Sequence, residues 1–232
     1  MPDVTPEILL RAYRAGIFPM AESAEAEELH WFDPPERTIF PLDDFHVPRR
    51  LQRTIRRNPY RITCNRDFSG VITACAQPEP ARKNRTASWI NAEIVTLYTA
   101  LHRRGHAHSL EAWQDGRLAG GLYGVSIGGA FFGESMFSAA KDASKICLVY
   151  LVAILRRQGF CLLDCQFKNP HLDQFGAVTI SRADYQARLR AACDFQCDFS
   201  GFSSGGGAAD SSGGSASGDP ALAFLQAITH TS

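Results

Sequence analysis

Two glycine-marked turns do most to limit what this chain can fold into. Asp115-Gly116 and Gly128-Gly129 each sit between runs of alternating apolar and polar character. His108–Gln114, Leu118–Ile127 and Ala130–Phe137 therefore read as three antiparallel strands in a meander. A helix leads into it, capped by Asn91, with Ile94, Leu97, Tyr98 and Leu101 on one face and Gly105 as its stop. A longer helix follows over Asp142–Gln158, its apolar positions including Ile146, Val149, Val152 and Leu155. Gly159 ends it, and Cys161–Gln166 is a short, mostly apolar strand. Helix, meander, helix and strand in that order define an α+β chain.

The flanking segments are less regular. Thr5 followed by Pro6-Glu7 starts a helix with Ile8, Leu9 and Tyr13 apolar, stopped by Gly16. Residues 21–45 are rich in acids and proline, with short apolar pieces at His30-Trp31-Phe32 and Thr38-Ile39-Phe40. Tyr60–Thr63 reads as a strand, Asp67 caps a short helix through Ala76, and Gln77–Ala87 is a polar loop. Val178–Ser181 is one more strand and Ala183–Cys193 a helix. Fourteen of the nineteen residues 200–218 are Gly or Ser, the composition of a flexible, disordered linker, and Pro220–Ile228 forms a short terminal helix behind it.

Of the 232 residues 45% are apolar, and 24 basic side chains balance 24 acidic ones. That composition supports a buried core and excludes a wholly disordered chain, a collagen-like repeat and a uniformly basic nucleic-acid coat. The start of the chain lacks the basic and apolar run of a secretory signal, and no stretch suits a membrane span. Seven scattered cysteines read as reduced thiols. A soluble cytoplasmic protein without a membrane partner is expected.

Neutrality conceals a partition. Residues 1–48 hold ten acids and three arginines, net −7, whereas residues 49–85 hold ten bases and two acids, net +8. The basic part centres on a helix opened by Pro48 and closed by Asn58-Pro59. Leu51 and Ile55 face inward on it, and Arg49, Arg53, Arg56 and Arg57 line the opposite stripe. With no acidic partner inside the helix, this stripe suits a phosphate backbone, the alternative being a solvated surface helix. Arg61, Arg66, Arg82, Lys83 and Arg85 can widen it.

The element order matches the N-acyltransferase (GNAT) superfamily, which includes acetyl-coenzyme A enzymes. Its basic, glycine-spaced pyrophosphate loop has only one analogue here, Arg117-Leu-Ala-Gly120-Gly121, inside a strand and before no helix. Two strings carry candidate chemistry. Asp164 and Gln166, two residues apart on one strand, point to one face, so the acid can orient the amide and together they can bind an amine. The alternative is a structural pair. Glu134, between a strand and a loop, can hold an ammonium or serve as a surface or capping acid. His106 and His108 have no third ligand, and the two C-x3-C pairs are not zinc-ribbon spacings, so no metal is expected.

Seven strings in register carry a more specific signal. They are Tyr13-Arg-Ala-Gly-Ile-Phe-Pro-Met20, Ser88-Trp-Ile90, Gly105-His-Ala-His-Ser109 running to Glu111-Ala-Trp113, Gly120-Gly-Leu-Tyr-Gly-Val125, Gly133-Glu-Ser-Met-Phe-Ser138, Ala143-Ser-Lys145 and Leu163-Asp-Cys-Gln166. Together they resemble the leucyl/phenylalanyl-tRNA–protein transferases of bacteria over residues 6–195. The resemblance implies a small N-terminal α/β domain (1–36) and a GNAT-like aminoacyltransferase domain (37–198); the Gly/Ser linker (199–219) and the tail (220–232) lie outside it. It implies transfer of Leu or Phe, less readily Met, from aminoacyl-tRNA to the α-amine of N-terminal Arg or Lys, marking the acceptor for the N-end rule pathway. No cofactor is implied, because the tRNA ester is the activated donor, and a monomer is expected.

Position by position, the resemblance assigns catalysis to Asp164 and Gln166, the aminoacyl group to Glu134 and the terminal adenosine to Trp89. Leu122, Phe131, Leu148, Leu151, Leu155 and Leu163 correspond to the apolar side-chain pocket, and Arg49, Arg53, Arg56 and Arg57 to the tRNA contacts. Met20 stands where some members carry tryptophan, so stacking there is weaker. An acyl-coenzyme A-dependent N-acyltransferase and a noncatalytic RNA-binding module are the competing readings.

Overall fold

The computed structural model describes residues 4–26, 28–77, 88–199 and 220–229. The loop bases Arg82, Lys83 and Arg85 and the Gly/Ser segment lie outside the described residues. Thr5 caps α1 (Pro6–Arg14) by accepting the Ile8 N–H. β1 (Phe18–Ala21) and β2 (Leu29–Phe32) then form a small antiparallel hairpin. β3 (Glu36–Phe40), α2 (Arg49–Arg56), β4 (Arg61–Cys64) and α3 (Phe68–Ala76) follow. After α4 (Ala92–Arg103) comes the expected meander, β5 (Ala107–Gln114), β6 (Arg117–Ile127) and β7 (Ala130–Ser138). α5 (Ala143–Arg157) crosses to β8 (Leu162–Asp164), which pairs parallel to β7, the geometry that a helical crossover permits. α6 (Pro170–Asp173), β9 (Val178–Ser181), α7 (Arg182–Asp194) and α8 (Pro220–Thr229) complete the chain.

The result is a mixed α+β structure around one seven-stranded mixed sheet of order β4-β5-β6-β7-β8-β3-β9. Alternation along the strands splits the interior into two cores. Leu122, Phe131, Leu163 and Phe40 enter the core beneath α5 and α2, while their neighbours Tyr123, Phe132, Leu162 and Ile39 enter the one beneath α1, α3, α4 and α7. β3, only a short apolar piece in an acid-rich stretch of sequence, sits inside the sheet between β8 and β9.

Three local details differ from the sequence expectation. The helix expected from Asp142 starts at Ala143: Asp142 is its N-cap residue, left-handed at φ 61 with no side-chain cap bond, and the Ser138 hydroxyl accepts the Ser144 N–H. The strand expected over Cys161–Gln166 ends at Asp164, and beyond it Cys165 and Gln166 both bond to Thr38, two residues opposite one. Gln166 is thereby thrown into the left-handed region at φ 58, so the same-face argument for Asp164 and Gln166 does not apply. Finally, α8 is a packed element: Ala221, Phe224 and Leu225 are buried in the core that also holds Leu51 and Ile55 of α2. Among the described residues no helix is long and apolar enough to cross a membrane.

Candidate active site

The end of β8 is held by an ion pair that the sequence concealed. Arg37 on β3 is 1% exposed, and its Nε donates to Asp164 Oδ1 and Oδ2 at 3.0 and 3.1 Å while Nη2 reaches Oδ2 at 2.7 Å. Tyr185 on α7 donates to the same Oδ2 at 2.9 Å, and the Gln166 N–H donates to Oδ1 at 2.8 Å. The guanidinium lies between the Phe18 and Tyr185 rings, 4.4 Å from each centroid, and its Nη1 bonds the Gly16 carbonyl. Asp164 thus spends its lone pairs on Arg37, Tyr185 and the backbone of Gln166. It fixes the unusual backbone of Gln166, not its amide. That amide is itself 92% buried (8% exposed), and its Nε2 has no hydrogen-bond partner, an uncommon and costly state for a buried donor.

Glu134 arrives by a second irregularity. In the β6–β7 ladder Tyr123 pairs with Ser135 and Gly124 with Gly133, which leaves Glu134 as the extra residue of a bulge. Gly124 opposite permits it: a Cβ there would lie 2.2 Å from the Phe132 carbonyl oxygen. Released from the ladder, Glu134 accepts hydrogen bonds from Tyr13 on α1 at 2.7 Å and Tyr98 on α4 at 3.1 Å, and the two hydroxyl oxygens also lie in contact with each other. Burial pushes the Glu134 carboxyl up to about 7, with the tyrosine hydroxyls pulling the other way.

Between these groups opens a cavity of about 410 Å³. Leu122, Leu148, Leu151 and Leu163 form apolar walls, Glu134 and Gln166 are among the polar groups, with Ser135, Lys168, Asn169 and His171, and Trp89 also lines it. Phe131 and Leu155 do not line it. Phe131 stacks on Phe199, 5.2 Å between centroids, and Leu155 lies one turn of α5 beyond Leu151, fully buried in the core. Phe18, Met20, Phe40 and Phe167 also line it. Of the supporting residues, Arg37, Tyr13, Tyr98 and Tyr185 escaped sequence reasoning. Arg37 had one usable signal, being the only Lys or Arg between residues 15 and 48.

The remaining candidates lie elsewhere. Arg49, Arg53 and Arg56 on α2 and Arg57 just after it are exposed, and none has an ion pair among the described residues, whereas Arg50 reaches Asp142 at 3.9 Å. His108 is buried between Asn65 and Ser126, at 3.1 and 3.0 Å, and burial pushes it down to about 4. It is a neutral core residue. Among the described residues no group of three or more His, Cys, Asp or Glu is arranged for a metal.

An apolar chamber ended by a carboxylate and an unpaired amide fits an enzyme that holds an acyl chain by its side chain and its polar head. Comparisons with known proteins specify the kind. The profile for leucyl/phenylalanyl-tRNA protein transferase matches residues 39–190, and that for the N-terminal domain of the same proteins matches residues 2–35. A leucyl/phenylalanyl-tRNA–protein transferase of Hyphomonas neptunium is 54% identical over 213 residues, 92% of this chain and 81% of that protein. Those of Maricaulis maris and Rhodopseudomonas palustris are 52% and 55% identical, over 84% and 81% of this chain and 88% and 82% of theirs. The solved structure of L-PGS from Bacillus licheniformis aligns at a TM-score of 0.40 and 14% identity, over 71% of this chain and 51% of that one, too loose a likeness to bear on fold or activity. The chain belongs to the leucyl/phenylalanyl-tRNA protein transferase family and is an aminoacyltransferase.

Proposed function

We propose that this protein moves Leu or Phe, and less readily Met, from aminoacyl-tRNA to the α-amine of an N-terminal Arg or Lys, creating a degradation signal of the N-end rule pathway. The observation that carries this is a leucine-walled cavity whose lining brings together Glu134 and Gln166, the latter with a buried, unpartnered Nε2. The side chain of the transferred residue fills the apolar walls, which select by volume; one methylene is worth only about 1–3 kcal/mol, so Leu, Phe and Met overlap. Glu134 holds the ammonium of the aminoacyl group, and Trp89 with Met20 receives the terminal adenosine. The exposed arginines Arg49, Arg53, Arg56 and Arg57 take tRNA phosphates.

In the reaction the acceptor nitrogen attacks the ester carbonyl, the C–N bond forms, the C–O bond to the ribose breaks, and a proton from the amine ends on the ribose oxygen. Gln166 fits both partners: its Oε1 accepts an amine N–H, and its Nε2 donates to the carbonyl oxygen as negative charge grows there. Asp164, saturated by Arg37 and Tyr185, keeps Gln166 in place. A free α-amine has a pKa of about 8, so a useful neutral fraction exists at pH 7 without a strong base.

The arrangement of α4, the β5–β7 meander, α5 and β8 supports a GNAT-like reading of residues 37–198, with 1–36 a small N-terminal unit, 199–219 a linker and 220–232 a tail. We place the protein, as a monomer, in the cytoplasm, where its donor is made. Coenzyme A is not the donor we favour: Arg117-Leu-Ala-Gly120-Gly121 lies within β6 and opens no helix. The test offers purified protein radiolabelled Leu-tRNA or leucyl-coenzyme A together with peptides beginning in Arg or Ala. Label entering the Arg peptide from the tRNA alone is expected; label from the thioester alone, or none, rejects the proposal.

A further inference from the structure

The acid-flanked hairpin and the basic helix α2 pack into different cores. The inner face of α2 belongs to the core under α5, whereas Phe18 and Ala21 of the hairpin belong to the other. The hairpin presents apolar surface instead of hiding it. Phe32 pairs with Phe18 across the two strands, so both side chains share the face that continues to Met20 and His30. Phe32 and Phe167 are 36% and 43% exposed, yet they pack on Phe18 at 5.8 and 5.4 Å and on each other at 6.0 Å. Since Phe18, Met20 and Phe167 also line the cavity, this aromatic face is its outward continuation. Exposed aromatic surface of this kind, contiguous with a cavity, marks a binding surface more often than chance.

The charge around it points to one class of occupant. From residue 22 to residue 36 the chain carries six acids and no Lys or Arg. Glu22 pairs with His30 at 3.5 Å and Asp33 with Arg182 at 3.1 Å, but Glu25, Glu28 and Glu36 are exposed without an ion pair among the described residues. The hairpin loop is tied down beside Trp89 by Asn91 Nδ2, which donates to the Ala26 carbonyl at 2.8 Å. Carboxylates and aromatic faces together attract guanidinium and ammonium groups and repel polyanions; Arg37 between Phe18 and Tyr185 shows that geometry within the fold. Lys168 and His171 also line the cavity, on the stretch just beyond Phe167 and off the hairpin. Gln166, in the lining of the same cavity, stands where the proposed reaction takes the acceptor amine.

We propose that this aromatic and acidic rim is the docking surface of the acceptor polypeptide, taking basic residues that follow its N-terminal position while the N-terminal amine reaches Gln166. This rests on the transfer activity proposed above and adds to it a preference beyond the first acceptor residue. The two substrates then meet at the cavity mouth: the tRNA phosphates on the arginines of α2 with the terminal adenosine at Trp89 and Met20, and the basic acceptor on Phe32, Phe167 and the acids of the hairpin.

The test uses peptides of equal length that begin with Arg and continue with Lys-Arg, Ala-Ala or Glu-Glu. KM and kcat are measured for wild type, Phe32→Ala and the double variant Glu25→Lys/Glu28→Lys, together with KM for Leu-tRNA and peptide binding by fluorescence anisotropy without tRNA. The wild type should show its lowest KM for the Lys-Arg peptide. Phe32→Ala should raise that KM about three- to fivefold, the loss of an exposed cation–π contact. The charge-reversed variant should erase or invert the ranking, with kcat at saturating peptide and KM for tRNA unchanged. Equal wild-type KM for all three peptides, or variants that move only the KM for tRNA, overturn the proposal; the latter result makes the rim a nucleotide platform. Ranked peptide binding without any transfer supports the rim and rejects the activity, whereas transfer without ranking does the reverse.

Discussion

Replacing Arg37 with Met removes the guanidinium that answers a fully buried carboxylate. Asp164 would keep only the Tyr185 hydroxyl and the Gln166 N–H as partners. Removing one member of a buried ion pair costs about 3–5 kcal/mol, because the other charge stays desolvated. For a chain of this size, 1 kcal/mol moves Tm by about 2–4 °C, so Arg37→Met should melt roughly 6–20 °C lower. Differential scanning calorimetry reads the shift, and the transfer assay reads turnover. The double variant Arg37→Met/Asp164→Leu separates packing from function. With both charges gone it should regain most of the stability, but not the turnover, because the Gln166 N–H has lost its acceptor and the amide its fixed position. A single variant melting within about 2 °C of wild type would refute the energetic argument; full turnover in the double variant would refute the positioning argument.

Charge reversal at Arg53 and Arg56 together should raise KM for Leu-tRNA and flatten its dependence on salt, leaving kcat nearly unchanged; salt-titrated initial rates check this. Glu134 holds a proton in the folded protein between its ordinary 4.5 and about 7, so its contribution to stability falls as pH rises through that window. Glu134→Gln should remove that slope from a urea-denaturation series across pH. It should also weaken binding of the aminoacyl-tRNA above pH 7, where the wild-type carboxylate is charged. Phe224→Ala opens a cavity between α8 and α5 and should cost about 3–5 kcal/mol by denaturant unfolding, reduced to the extent that the helix end can settle.

Local signals made the meander legible: turn glycines and strand alternation lie within a few residues of one another, and β5, β6 and β7 stand where they place them. The basic helix was legible for the same reason, with Leu51 and Ile55 buried and the arginine stripe outside. What escaped is what depends on distant pairing. Arg37 and Asp164 meet across 127 residues of sequence because β3 inserts beside β8, and nothing in either segment announces it. The bulges that turn out Glu134 and twist Gln166 are single-residue slips in register, invisible to a period-two pattern. The resemblance supplied those two residues without their geometry. It also supplied Phe131 and Leu155, which belong to the core beyond the cavity wall. The terminal helix was foreseen, but its seat beneath α2 was not, since a Gly/Ser-rich connection leaves its docking site open.

In the proposed mechanism Asp164 supports Gln166 and is not the base that takes the amine proton. The most direct measurement is the single-turnover rate of leucine transfer from preloaded Leu-tRNA to an Arg peptide, followed across pH in wild type and Asp164→Asn. The predicted result is a slower rate in the variant, with the acid limb of the profile kept at the same midpoint. A variant whose rate no longer depends on pH over that limb would contradict the account and make Asp164 the base.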